Sequence, residues 1–247
     1  MSLDQHNTEI HENRRSWEKK KSLRFAYAGF YRMIADCLDP DLEGLKLELG
    51  SGMGNIKDFI PDCITSDLFP NPWLDRIESA YHLDFADASI SHIILFDVWH
   101  HLEYPANALA EARRVLVPGG RMIIMDPAMS LLGRLVYGKY HHEPLGFNVP
   151  FPEVPVPLES KNGPGYFAAQ AAAHRVFLKR EIPALLDGWN IESTQRITSF
   201  TYLGSGGFRG PQLFPDFAIP FLSVVDRTLG YFPGLFSARM LVVLSKK

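Results

Sequence analysis

At 247 residues the chain has the length for one substantial α/β domain with elaborations and is short for two full domains. A hydrophobic content of 46%, a charged content of 21% and a net charge of −3 are those of an ordinary soluble globular protein, and give no global electrostatic reason to expect nucleic acid. Cys37 and Cys63 stand far apart without a His or Cys partner at metal spacing, which argues against a disulfide framework and for a reduced compartment. The polar first 21 residues lack the apolar core of a signal peptide, and no apolar run approaches the roughly 20 residues that span a bilayer. A cytoplasmic protein is expected.

After a basic cluster (Arg14, Arg15, Lys19 to Lys21), which reads as a solvated face, residues 23–38 are expected to be helical. Phe25, Tyr27, Phe30, Tyr31 and Ile34 fall at helix spacing, and Asp39-Pro40 stops the helix. These aromatics read as packing, in a helix able to close over a ligand. Leu45, Leu47 and Leu49 then mark a short buried strand with Glu48 near its end, followed by Gly50, Gly52 and Gly54. Glycines there let backbone approach a ligand closely. The spacing is Gly-x-Gly-x-Gly, whereas the dinucleotide fingerprint needs Gly-x-Gly-x-x-Gly. A carboxylate at Glu48 would repel a pyrophosphate but suits a cationic amino group. These features point to S-adenosylmethionine, which carries an adenosine, a sulfonium and an amino group.

A short helix to residue 59 leads to a strand over 63–67 that ends in Asp67, 17 residues beyond Gly50. A carboxylate so placed can take both ribose hydroxyls; the competing reading is a turn residue ahead of Pro70 and Pro72. Residues 90–98 form the next clear strand, followed by Trp99-His-His-Leu102, a helix over 105–116, a Pro118-Gly119-Gly120 turn and a strand over 121–126. This alternation predicts an α/β, doubly wound, mostly parallel sheet, with Glu48, Gly50, Asp67, Asp97 and Asp126 at the carboxyl edge where ligands sit.

In these segments the chain resembles the class I S-adenosylmethionine-dependent methyltransferases, in particular their type 11, small-molecule group. The resemblance is carried by Leu47-Glu-Leu-Gly-Ser-Gly-Met-Gly54, Thr65-Ser-Asp-Leu68, Leu83-Asp-Phe-Ala-Asp-Ala-Ser-Ile90, Phe96-Asp-Val-Trp-His-His-Leu102 and Arg113-Arg-Val-Leu-Val-Pro-Gly-Gly-Arg-Met122. It covers roughly residues 45–127, about a third of the chain. It implies a Rossmann-like sheet of seven strands whose last strand, near 237–245, runs antiparallel beside a neighbour near 191–200. It also implies a cofactor set: Glu48 at the methionine amino group, Gly50, Ser51 and Gly52 against the cofactor, Asp67 and Leu68 at the ribose, and Asp97 and Val98 beside the methionine moiety. Where the family often has an acid for the adenine amino group, this chain has Ser79, with the Ala80 N–H facing the ring, and Asp84 replaces the family's proline.

The expected organisation is one methyltransferase domain over residues 1–247. It comprises an N-terminal helical cap (1–40), a cofactor-binding half (41–127), an insertion or lid after the fifth strand with the acceptor region (128–190), and C-terminal strands with an apolar helix (191–247). The expected reaction moves a methyl group from S-adenosylmethionine to a small-molecule acceptor. His100 and His101 are the candidate bases, against a helix-capping role. Tyr140, His141 and His142, next to Glu143, are candidate substrate contacts in a loop rich in Pro and Gly (Pro144, Pro150, Gly163, Pro164, Gly165); His-His-Glu in one loop is weak evidence for metal, and none is expected. His174 reads as structural. The Gly-rich stretch 202–209 reads as a flexible loop and resembles segments of cell-envelope and polysaccharide-cluster methyltransferases, suggesting a sugar or lipid-linked acceptor. Residues 214–236 are apolar and aromatic: a packed helix is the first expectation, and a surface for a lipid acceptor or membrane the second. The alternatives are a nicotinamide-dependent oxidoreductase, which the missing third glycine opposes, and a cofactor-binding module without catalysis.

Overall fold

The computed structural model describes residues 3–158 and 166–247; Gly163, Pro164 and Gly165 of the expected lid lie outside them. Among the described residues, strands Leu45–Leu49 (β1), Cys63–Asp67 (β2), Arg76–Ile77 (β3), Ile90–Phe96 (β4), Leu116–Pro127 (β5), Trp189–Thr198 (β6) and Ser237–Lys246 (β7) form one sheet. Its order is β3-β2-β1-β4-β5-β7-β6, and β7 runs antiparallel to both of its neighbours. This is the α/β, seven-stranded, mostly parallel sheet that the motif order implies.

The central strand β4 is buried along its whole length, as a strand covered on both faces must be. Alternate side chains feed two cores. Ile93 and Leu95 meet Leu109, Ala112 and Val115 of helix α3 (Pro105–Val115). Ile94 and Phe96 meet Tyr27, Phe30 and Ile34 of helix α2 (Lys21–Ala35).

Several expectations are corrected. The polar N-terminus is a helix, α1 (Leu3–Lys19), with Ile10 buried. It is held by tertiary contacts that no apolar periodicity announces: Arg14 lies over the Trp73 ring at 4.7 Å, and the Ser16 hydroxyl donates to the Phe208 carbonyl at 2.6 Å. The helix after the glycine loop is a four-residue 3-10 turn (Asn55–Asp58), so helix α2 covers that face instead. Pro118-Gly119-Gly120 is an excursion within β5: Ile90 pairs with Leu116, and two residues later His92 pairs with Arg121.

The insertion between β5 and β6 is more than a loop. It contains helix α4 (Leu131–Lys139) and a π-helical turn (His174–Leu178), and Ala169, Ala171, Ala172 and Ala173 are buried. The stretch read as a flexible loop begins inside helix α5 (Phe200–Gly204). The apolar segment near the C-terminus is helical, as α6 (Ile219–Leu229) and α7 (Pro233–Phe236), but it is only partly packed: no residue of either helix is buried. Phe217 is 85% exposed and Phe221 68%. Both sheet faces are already covered, which leaves this segment no core to join. No helix among the described residues is long and apolar enough to cross a membrane.

Candidate active site

The chain leaves β1 through Gly50, whose φ of +70° is costly for any residue with a Cβ. A Cβ there would also stand 2.3 Å from Val98 Cγ2. A Cβ on Gly52, at φ +53°, would meet nothing nearer than Ile10 Cδ1 at 3.8 Å, so the side of this residue that a Cβ would take is open. Glu48 is 1% exposed, and its Oε2 has no hydrogen-bond partner among the described residues. Burial pushes its carboxyl up to about 8, against a Ser51 hydrogen bond and with the Asp67 charge adding to the rise. An orphaned buried carboxylate oxygen beside an open glycine backbone fits a ligand that presents an amino group.

From this end a cavity of about 1210 Å³ runs past Phe96 and Asp97 to His100, His101 and Glu143, with Tyr27 and Tyr31 of α2 on one wall. Glu48, Gly50, Ser51, Gly52 and Asp97 line it, and so do His100, His101, Tyr140, His141 and His142. The two histidine pairs are therefore brought together with the glycine loop. Asp67, Leu68, Ser79, Ala80 and Val98 are not on its walls. Asp67 sits just behind, its Oδ2 accepting from Gly52 N–H at 3.2 Å and its Oδ1 from Leu68 N–H at 2.7 Å. Ser79 is buried and its hydroxyl accepts from Tyr81 N–H at 3.3 Å. Val98 packs beneath Gly50.

Asp97 takes φ +59° at the end of β4, a left-handed turn that swings the chain into the 3-10 helix Trp99–His101. Its carboxylate is paired with Arg239 of β7, which is 2% exposed and also donates to the Tyr202 hydroxyl at 2.6 Å. Sequence reasoning missed Arg239 and Tyr202. Only the antiparallel docking of β7 carries Arg239 to this edge, so no local signal marks it.

The far end is a cluster of imidazoles and carboxylates. His100 is buried, with Nδ1 2.9 Å from Asp126 Oδ1. His101 Nδ1 lies 2.9 Å from the Phe167 carbonyl. Around Glu143 stand four ring nitrogens: His100 Nε2 at 3.6 Å, His101 Nε2 at 3.9 Å, His141 Nδ1 at 3.7 Å and His142 Nε2 at 3.8 Å. Tyr166 and Gln170 donate hydrogen bonds to the same carboxylate.

Burial by itself lowers His100, but the Asp126 and Glu143 carboxylates outweigh it and hold the ring at about 9. Burial, together with the neighbouring His100, pushes His101 down to about 4. Glu143 is held well below the carboxylate range: burial opposes this, but the nearby His100, the Tyr166 hydrogen bond and the imidazole charges prevail. Capping does not account for these rings, because both face the cavity. Tyr166, Gln170 and Asp126 join the cluster from distant positions that spacing could not connect with it.

Residues 65–124 match the family model described as methyltransferase domain, type 11. No curated protein matches the chain in sequence. Among solved structures, a methyltransferase dependent on S-adenosylmethionine from Thermotoga maritima is 19% identical with a TM-score of 0.52, covering 92% of each chain. A chain from the complex of a Haloferax volcanii methyltransferase activator with its methyltransferase is 11% identical with a TM-score of 0.55, covering 100% of this chain and 97% of that one. A geranyl diphosphate methyltransferase bound to geranyl diphosphate and sinefungin is 13% identical with a TM-score of 0.51, covering 89% and 78%. At these identities the likeness is one of fold. The fold is therefore that of the class I methyltransferases, and the domain match over residues 65–124, with the motif order, supports an enzyme whose methyl donor is S-adenosylmethionine.

Proposed function

We propose that this chain methylates the polar head of an amphiphilic, lipid-tailed acceptor. The observation that carries the acceptor class is the split character of α6: Leu222 lines the cavity, while Phe221 and Val224 of the same helix are 68% and 56% exposed. Helix α4 repeats the arrangement, with Leu132 and Val136 on the cavity wall and Leu131 and Leu135 outside, 65% and 54% exposed. Apolar surface continuous with a cavity mouth offers a tail somewhere to lie while the head reaches inside.

S-adenosylmethionine supplies an electrophilic methyl group. At the donor end we assign Glu48 to its amino group, the backbone at Gly50, Ser51 and Gly52 to close approach, and Asp97 and Val98 to the border of the methionine part. Asp67 with Leu68 is assigned to the ribose, and Ser79 with Ala80 to the adenine; for Asp67 to do this, its contact with Gly52 N–H must exchange for the ribose hydroxyls. At the acceptor end we assign His100 and His101 as the groups that meet the reacting polar atom, with Tyr140, His141 and His142 around the head. Holding the nucleophile in line with the methyl group supplies much of the rate by itself.

Incubating the enzyme with methyl-labelled S-adenosylmethionine, and with the lipid and the aqueous fractions of a cell extract, tests this reading. Label is expected in the lipid fraction. Phe217→Asp/Phe221→Asp should lower lipid methylation more than about tenfold, since each loses up to ~3 kcal/mol of apolar contact, with S-adenosylhomocysteine affinity unchanged. Label confined to the aqueous fraction would overturn the acceptor class.

A further inference from the structure

We propose that His100 Nε2, His101 Nε2 and the Glu143 carboxylate form a binding site for a divalent first-row transition ion, with open coordination positions facing the cavity. The site stands on donor geometry and holds whichever acceptor the enzyme uses.

The first observation is tautomeric. The Phe167 carbonyl can only accept, so the His101 nitrogen 2.9 Å from it, Nδ1, must carry the proton. Asp126 fixes His100 Nδ1 in the same way at 2.9 Å. In the neutral rings both Nε2 atoms are then lone pairs. A carboxylate or carbonyl behind each imidazole is the second shell by which proteins orient histidines toward a metal.

The second observation is spacing. The donor atoms of His100, His101 and Glu143 all lie within 4.8 Å of one another. The gaps of 3.6 Å and 3.9 Å from the two Nε2 atoms to Glu143 are too long for hydrogen bonds. Two metal–ligand bonds of about 2.1 Å at a tetrahedral angle span about 3.4 Å, so donors at most 4.8 Å apart need to close by up to about 1.4 Å around an ion.

The third is charge. Asp97 is already paired with Arg239, whereas among the described residues Asp126 and Glu143 are buried with only imidazoles and neutral donors beside them. Once an ion displaces the proton from His100 Nε2, two carboxylates with neutral histidines balance its double charge. Gln170 Oε1, in a side chain that is 1% exposed and on the cavity wall, has no hydrogen-bond partner among the described residues. It is free to accept from a water or hydroxyl on the ion.

The nitrogens that His141 and His142 turn toward Glu143 are already occupied. His141 Nδ1 accepts from Glu143 N–H at 3.3 Å, and His142 Nε2 lies 3.3 Å from Arg209 Nη1. Imidazole nitrogens with a single carboxylate favour zinc, iron, cobalt or nickel over magnesium or calcium. The cavity-facing positions suit an oxygen ligand, such as an acceptor hydroxyl or carboxylate. Two imidazoles supplied from more than forty residues away complete a donor set of which the His-His-Glu loop provides only Glu143.

The test uses the full, tag-free chain: elemental analysis as purified, calorimetry with zinc(II), and visible absorption with cobalt(II). One equivalent per chain is expected, with cobalt bands of a low-coordinate site. His101→Ala and Glu143→Gln should each weaken binding more than about 100-fold, Asp126→Asn by about 10–100-fold as a second-shell loss, and His142→Ala by less than either. S-adenosylhomocysteine binding and the thermal midpoint report folding independently, so loss of metal with both retained counts for the site. Absence of stoichiometric zinc or cobalt binding by the folded wild-type chain overturns the proposal. Binding that survives His101→Ala and Glu143→Gln, or is lost equally in His142→Ala, also overturns it.

Discussion

The assignment of Glu48 to the donor's amino group makes cofactor affinity depend on pH in a calculable way. The carboxyl is 1% exposed and held at about 8. At pH 7 the empty protein therefore keeps it mostly protonated, and pairing with a cationic amine first requires losing that proton. One pH unit corresponds to about 1.4 kcal/mol, so the requirement costs about 1.4 kcal/mol at pH 7 and about 2.7 kcal/mol at pH 6. The affinity for S-adenosylhomocysteine should rise about tenfold per unit from pH 6 and level off above 8. Calorimetry across that range at constant ionic strength measures the slope. Repeating it in buffers of different ionisation enthalpy counts the proton, and close to one should leave at pH 7. Glu48→Gln should abolish the slope and, at pH 8, lose the about 1.5–3 kcal/mol of a charge-assisted hydrogen bond. Methylthioadenosine, which lacks the amino group, should show no slope even with the wild type. A flat wild-type profile, or the same slope in Glu48→Gln, would refute the assignment.

Three further outcomes are expected. Gly50→Ala places a Cβ 2.3 Å from Val98 Cγ2 at φ +70°, so it should cost about 1–3 kcal/mol in chemical denaturation and most cofactor binding; adding Val98→Ala should recover the steric part and leave the backbone part. Asp97→Asn strands a buried guanidinium and should cost about 3–5 kcal/mol by thermal unfolding, Arg239→Met strands the partly solvated Asp97 carboxylate and should cost less, and the double variant should lose less than the sum. His92 is fully buried; burial, with Arg121 and Lys46 adding, lowers it to about 4, and its Nε2 accepts from Asp39 N–H at 2.9 Å. Because its folded pKa lies below the unfolded value of about 6.5, this contribution is complete above 6.5 and is lost as pH falls toward 4. Up to about 3 kcal/mol is at stake, and His92→Gln should flatten that part of the stability profile.

What the sequence determined by itself is what local chemistry encodes. The Leu45, Leu47, Leu49 strand, Glu48 and the glycines on alternate positions are contiguous, so they declare both a sheet edge and a loop for backbone approach. The apolar blocks at 90–98 and 121–126 announce strands buried on both faces, because two faces must be covered at once. Helix α1 stayed hidden, since its stability comes from Trp73 and Phe208 and not from its own pattern.

Tertiary structure alone decided three things. It placed Arg239 on Asp97, 142 residues away, through the antiparallel return of β7. It gathered His100, His101, Asp126 and Glu143 from three segments by aligning the ends of β4 and β5 beneath the insertion. It left Phe221 and Val224 of α6 in solvent, although their composition alone reads as core. Apolarity states only that a residue gains by leaving water; which surface takes it in depends on the faces the rest of the chain has already filled.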